Sequence, residues 1–284
     1  LKYGSRSEDC SSPEIAQVNL SPETAIIAQE ESLREWFTRE CDSIRKVVDG
    51  LDIGWGGVQR WATARMPPPT VGLHLDVACG YGTFLAQLGW RFPEVQLVGL
   101  NIDFDGPHAL AQPLLTRAGV SVALVQGDGR KMPFADGALG SVSCFLGLQD
   151  IEIGFGEVGM YETVAEAVRV LRAGGILVLL DAYPLERFQD LLDKLPAIAV
   201  DGAQQGLDVC WTRQVAEQAI ALYADGWVAQ VRGGDREENE RIREEVHSRM
   251  MAEMERQLTT QGYYVPFGPV CMVAAKKISS CLGI

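Results

Sequence analysis

Leu75-Asp76-Val77-Ala78-Cys79-Gly80-Tyr81-Gly82-Thr83-Phe84-Leu85 continues an apolar run that begins at Val71, and its order of residue types sets the architecture. The run ends with an acid, two glycines follow one residue apart, and an amphipathic segment begins at Thr83. That is the pattern of a buried strand, a tight turn and a helix N-terminus. Glycines suit such a turn because its backbone takes conformations barred to residues with a Cβ, and they let a ligand lie against the main chain. The unpaired N–H groups of the helix start then face that ligand. A dinucleotide fingerprint needs a third glycine, and here that place holds Leu85. Asp76 would also sit badly beside a pyrophosphate. A carboxylate there fits a ligand carrying an ammonium group, a sulfonium and ribose hydroxyls.

Outward from this turn the chain alternates. Strands are predicted at 71–77, 95–100, 120–126, 139–146 and 176–181, with helices at 83–91, 107–117 and 161–171. Pro113 is expected to kink the second helix and Gly174-Gly175 to close the third. Such alternation implies right-handed crossovers and a doubly wound, mostly parallel α/β sheet. Ligands of these sheets bind beyond the carboxyl ends of the strands, so the residues after each strand are the site candidates. They are Asn101-Ile102-Asp103, Gly127-Asp128-Gly129, Phe145 to Asp150, and Asp181-Ala182-Tyr183. Residues 154–159, rich in glycine, are expected to form a loop at the mouth of the site.

The stretch around Asp76 resembles motif I of the class I S-adenosylmethionine-dependent methyltransferases, D-x-G-C-G-x-G, with Ala78 in the first small place. The run from Gln126 to Gly137 is similar to that family's G-D-A-x-x-L-P-F-x-D segment. Val170-Leu171-Arg172-Ala173-Gly174-Gly175 resembles its R-V-L-K-P-G-G hallmark, with Arg172-Ala173 replacing Lys-Pro. The core is similar to ubiquinone/menaquinone-type C-methyltransferases and their many small-molecule relatives. The resemblance, over about residues 71–183, implies a seven-stranded Rossmann-like methyltransferase sheet with an antiparallel closing hairpin. It implies S-adenosylmethionine as cofactor, bound by Asp76, Ala78, Gly80, Gly82, Asn101, Ile102, Asp128, Gly129 and Phe145. Asn101 stands where the family usually has an acid for both ribose hydroxyls, which leaves Asn101 and Asp103 as alternatives. Gln149, Tyr183 and Trp211 are the substrate-side candidates, by position alone.

The flanks divide accordingly. Residues 1–20 read as a loose arm, and 21–70 as an N-terminal helical element bearing Trp36 and Phe37. Residues 71–183 are the binding core, 184–235 a helical insertion or lid after the fifth strand, and 236–284 the last helix and closing hairpin. That hairpin is expected to use residues 263–265 and 270–275. In the last helix Ile242, Val246, Met250, Met254 and Leu258 recur every fourth residue, a stripe for packing on the sheet.

At 284 residues and 47% hydrophobic content the chain can bury a sizeable core, while a net charge of −13 argues against nucleic acid as partner. The seven cysteines show no metal-ligand or disulfide spacing, so no metal site is expected and a cytoplasmic location is. Neither a targeting segment nor a membrane-length run is read, and Leu1 is not an initiator. The partners expected are a small-molecule substrate and, as an allowed assembly, a second copy in a homodimer, without membrane or nucleic acid. Of three histidines, His74 reads as a packed core residue, His108 as a surface helix residue or, alternatively, a base near the cofactor face, and His247 as surface. The chemistry expected is O- or C-methylation by in-line displacement, with no catalytic residue assigned. The alternatives are a non-catalytic binding protein of the same fold and a nicotinamide-dependent reductase, the latter disfavoured by Leu85 and the hairpin.

Overall fold

In the computed structural model, which describes residues 48, 57–70, 72–195, 197–207, 213, 216, 217, 220, 236–265 and 270–278, the alternation closes into one sheet. Its strands are β1 (Leu73–Val77), β2 (Gln96–Asn101), β3 (Val122–Gln126), β4 (Leu139–Phe145), β5 (Leu171–Asp181), β6 (Ile198–Leu207) and β7 (Val270–Lys277). Their order is β3-β2-β1-β4-β5-β7-β6. Strands β1 to β5 pair in parallel, and β7 runs antiparallel to both β5 and β6. The chain order reverses between β1 and β4, which places the Asp76–Gly82 turn at the switch point.

The described helices are α1 (Val58–Arg65), α2 (Thr83–Arg91), α3 (Ala111–Arg117), α4 (Leu148–Val170), α5 (Leu185–Asp193) and α6 (Arg236–Gln261). Two apolar layers follow from strand alternation. Leu75, Val77, Val142, Leu177 and Leu179 meet Met160 and Val164 of α4 and Phe188 and Leu191 of α5. On the other face Val178, Leu180 and Met272 meet Leu85 and Leu88 of α2, Leu114 and Leu115 of α3, and Met254 of α6. Each such side chain, fully buried, contributes ~1.5–3 kcal/mol relative to exposure. The stripe on α6 is thus core packing at Met254, with Met250 and Leu258 half-buried beside it.

Close packing holds the motif turn against its neighbours. A Cβ on Gly99 of β2 would lie 2.8 Å from Cys79 Sγ and 2.8 Å from Leu85 Cδ1. Gly99→Ala is therefore expected to destabilise the fold by ~1–3 kcal/mol, read as a lower urea midpoint with unchanged slope.

Several expectations are corrected. Residues 198–207, read as part of a helical insertion, are strand β6 at the sheet edge. They, rather than 263–265, pair with β7, from Ile198 opposite Lys277 to Leu207 opposite Val270. The register shifts between Val200 and Gly202 and between Gln204 and Leu207. Such bulges break the period-two pattern by which a strand is recognised. Of residues 263–265 only Tyr264 makes a bridging contact. Residues 154–159 are not a loop: they lie within α4, which bends at Gly156 (φ 71°, ψ 179°). The helical run predicted at 107–117 divides just ahead of Pro113 into a 3-10 segment, Gly106–Leu110, and α3, which holds Pro113 as its third residue in a first turn whose N–H groups lack helical partners anyway. Gly174-Gly175 lies inside β5 rather than closing a helix: α4 ends at Val170 and Gly174 takes φ +75°. Trp36, Phe37 and Trp211 lie outside the described residues.

Candidate functional site

Two cavities of about 330 and 300 Å³ open side by side beyond the carboxyl ends of β1, β2 and β4, and Ala78, Gly80, His108 and Asp150 line both. The first is also walled by Asn101, Ile102, Asp128 and Gly129, the second by Asp76, Phe145, Gln149 and Asp181. Gly80 takes φ +50°, and a Cβ there would find no heavy atom within 4 Å. Its bare main chain is the floor between the cavities. Gly82 lines neither: it is the left-handed N-cap of α2, and its Cβ would lie 3.0 Å from Leu115 Cδ1. Two residues with side chains, Ala78 (φ 57°) and Leu146 (φ 51°), also hold left-handed backbone at this rim. Each costs ~1–2 kcal/mol, and that strain concentrates where the turns after β1 and β4 meet.

The second cavity is acidic. Burial pushes the Asp76 carboxyl up to about 7, against a hydrogen bond from Ser143. Burial likewise pushes Asp181 up to about 6, although its carboxylate accepts from the N–H groups of Gln149 (3.0 Å) and Ala182 (2.8 Å). Desolvation raises Asp150 as well, with His108 opposing. A cation entering here would replace lost hydration at groups that are costly to keep ionised alone.

In the first cavity the Asn101 amide donates to Asp103 O (2.6 Å) and lies 3.0 Å from His108 Nδ1. His108 Nδ1 is also 3.2 Å from Asp103 Oδ1. Asn101 and His108 line this cavity, whereas Asp103 does not. Ile102 is 52% exposed at the mouth, an apolar surface without an intramolecular role. Arg130 grips the Asp128 carboxylate with Nε (3.0 Å) and Nη2 (2.6 Å) while its guanidinium lies 3.8 Å above the Phe155 ring. That ion pair keeps the Asp128 carboxyl below its ordinary value. Each carboxylate oxygen has more than one acceptor site, so a further donor can still be taken. Gly129 is packed so closely that a Cβ would meet Thr163 Cγ2 and Val77 Cγ1 at 3.2 Å.

The loop carrying Asp128 and Gly129 is tied down from α4. Arg169 donates to Phe134 O (2.9 Å), Met132 O (3.1 Å) and the carboxylates of Asp136 and Glu166, while Glu166 accepts from Met132 N (2.8 Å). Removing one member leaves the others unmatched. Arg169→Met is thus expected to lower stability by ~1–3 kcal/mol, measured by urea unfolding.

The structure thus brings Asp76, Ala78, Gly80, Asn101, Ile102, Asp128, Gly129, Phe145 and Gln149 to the two cavities. Tyr183, a substrate-side candidate, lines neither. It is buried against Phe188 (ring centroids 5.9 Å apart), and its hydroxyl donates to Glu152, which also takes Arg187. It fastens α5 to α4. Gln59, whose amide donates to Thr83 Oγ1 (2.7 Å), was not singled out from sequence, and Asp150 was named only as the end of the stretch after β4. Gln59 carries no motif, and Asp150 reaches the cavity only because α4 starts immediately after β4.

Residues 75–179 match the methyltransferase domain family. The matched stretch runs from β1 into β5. Among curated relatives, the demethylmenaquinone methyltransferase of Deinococcus radiodurans is 31% identical over 149 residues, 50% of this chain and 56% of that protein. The Thermus thermophilus protein of the same name is 35% identical over 112 residues, 39% of this chain and 47% of its own. The chain spans about half the length of the curated relatives it matches. Among solved structures, the [4+2]-cyclase SpnF superposes with TM-score 0.53 at 15% identity, covering 79% of this chain and 81% of its own. A candidate methyltransferase from Bacillus halodurans does so with TM-score 0.52 at 16% identity, covering 78% and 98%. At such identities these two neighbours speak for the fold alone.

S-adenosylmethionine is the methyl donor that the resemblance implies, and the residues at the two cavities offer a surface to take it. The Gly80 main chain is open, with no heavy atom within 4 Å of where a Cβ would stand. Asp76, a carboxylate acceptor, lines one cavity, and the Asn101 amide and the Asp128 carboxylate line the other. The donor and acceptor set fits the molecule.

Proposed function

We propose that the chain is an S-adenosylmethionine-dependent methyltransferase acting on a small-molecule acceptor. The observation that carries this is Gly80, a bare left-handed glycine lining both an acidic cavity and the one walled by Asn101 and Asp128. In this reading Asp76 accepts from the ammonium group and Asn101, rather than Asp103, meets the ribose hydroxyls. Ile102 covers one face of the adenine, while the Asp128 carboxylate and the Gly129 N–H read its edge. When bound, the cofactor supplies an electrophilic methyl group on a sulfonium. The protein's work is then to align an acceptor nucleophile with that methyl and exclude water, which is worth several orders of magnitude by itself.

Gln149 and Asp181 border the acceptor side, and Asp150, beside His108, is the group placed to take a proton from an acceptor hydroxyl or carbon acid. Asp150→Asn is expected to reduce turnover ~10²–10⁴-fold while leaving affinity for S-adenosylhomocysteine within about threefold. The relatives' printed acceptor, a demethylmenaquinone, heads the panel for testing. Transfer of a labelled methyl group from S-adenosylmethionine to the reduced naphthoquinone, to phenols and to enolisable carbons reads O- against C-methylation directly. A second reading, a binding protein of this fold, draws on the Asn101 amide, whose hydrogens are engaged by Asp103 and His108. Cofactor binding without transfer to any acceptor on the panel favours that second reading.

A further inference from the structure

Central parallel strands ordinarily carry apolar side chains on both faces. On the face opposite Leu75 and Val77, β1 instead presents His74 and Asp76, and β4 presents Ser141 and Ser143 beside them in register. All four are at most 1% exposed. They form one chain of contacts: Ser141 Oγ to His74 Nδ1 (2.8 Å), His74 Nε2 to Ser143 Oγ (3.0 Å), and Ser143 Oγ to Asp76 Oδ1 (2.6 Å). Asp76 alone of the four lines a cavity.

The direction of the chain follows from counting hydrogens. A serine hydroxyl has one, and Ser143 gives it to the Asp76 carboxylate. The contact at 3.0 Å between Ser143 Oγ and His74 Nε2 then requires the proton on Nε2. Burial keeps His74 neutral, its value pulled down to about 4, so Nδ1 is bare and accepts from the Ser141 hydroxyl. Every hydrogen points toward Asp76.

We propose that Ser141, His74 and Ser143 form a one-way hydrogen-bond relay that holds Asp76 ionised and aimed at the cavity, with His74 as its positioning residue. The ligand's identity rests on the cofactor reading above; the relay is a property of the free protein. Around Asp76 the other titratable groups are Cys79 and Tyr81 of its own turn, Cys144 of β4, Asp181 of β5, Asp150 of α4 and His108 before α3. The Ser143 hydroxyl is the hydrogen bond that draws the carboxyl back toward ionisation.

The test uses isotopically labelled ligand-free protein. Imidazole nitrogen shifts of His74 near pH 8.5 are expected to report the Nε2–H tautomer; the Nδ1–H tautomer overturns the relay. The Asp76 carboxyl carbon is expected to titrate at least ~0.5 pH unit higher in His74→Phe and in Ser143→Ala than in the parent. Unmoved midpoints in both variants overturn it, and Ser143→Ala decides if His74→Phe does not fold. Calorimetry with S-adenosylhomocysteine separates positioning from damage. His74→Phe should bind several-fold more weakly than the parent near pH 7 and recover to within about threefold near pH 8.5. Equal weakening at both pH values contradicts positioning. Should the parent not bind S-adenosylhomocysteine at any pH, the cofactor reading falls while the tautomer and carboxyl titrations still judge the relay.

Discussion

Asp76→Asn is expected to weaken S-adenosylmethionine binding ~10–100-fold at pH 8, the worth of a charge-assisted contact in a partly dry site. The same substitution should stabilise the ligand-free protein. Burial raises the Asp76 carboxyl to about 7, so at pH 8 the folded state carries a buried charge that the unfolded state holds in water. A group whose folded value is raised gives its full stability below its unfolded value near 4 and loses it as pH climbs through 7. Asn retains the acceptor for Ser143 and carries no charge. The expected gain is on the order of 2 kcal/mol at pH 8, a Tm rise of ~4–8 °C. Only below about pH 4, where Asp76 is protonated in both the folded and the unfolded state, should the difference shrink toward zero. A Tm that falls at pH 8 would mean that the carboxylate supports the fold rather than the ligand.

Gly80→Ala is the second large effect, and it acts by shape instead of charge. A methyl group there would have no heavy atom of the protein within 4 Å, but in the proposed reading it stands where the ligand lies on the main chain, at φ +50°. Left-handed strain of ~1–2 kcal/mol should lower stability modestly. Affinity for S-adenosylhomocysteine should fall at least ~30-fold, because the obstructed surface is the floor shared by both cavities. Ala78→Gly is the control. Ala78 already holds φ 57°, so glycine relieves strain without adding bulk, and affinity should stay within about threefold. Equal losses in the two variants would point to general damage to the turn.

What the sequence showed and what it hid divide along one physical line. Gly80, Gly82 and Asp76 were legible because a glycine turn capping a strand is local chemistry, written in consecutive residues. Asp128-Gly129 and Asn101 were legible because strand ends fix where the next side chains must go. β6 was not, because its bulges erase the alternation and its pairing partner β7 lies more than sixty residues away. The bend of α4 at Gly156 was hidden for a related reason: a glycine cluster reads as a loop until tertiary contacts, Phe155 under Arg130 among them, hold it in a helix. Tyr183 had the right address after β5, but its side chain turns to Glu152 and Phe188. His74 was legible as buried. Its place in a polar ladder depends on β4 lying beside β1, a pairing across 67 residues.

The claim that most needs a direct answer is that the Asp76–Gly82 turn cradles S-adenosylmethionine. Calorimetric titration of the protein with S-adenosylhomocysteine at pH 8 tests it, with NADH and Asp76→Asn as controls. The account predicts one site with a Kd of ~1–100 μM, at least tenfold weaker binding to Asp76→Asn, and no heat with NADH. Absence of binding by the parent protein at about 1 mM S-adenosylhomocysteine, or tighter binding of NADH, would contradict it.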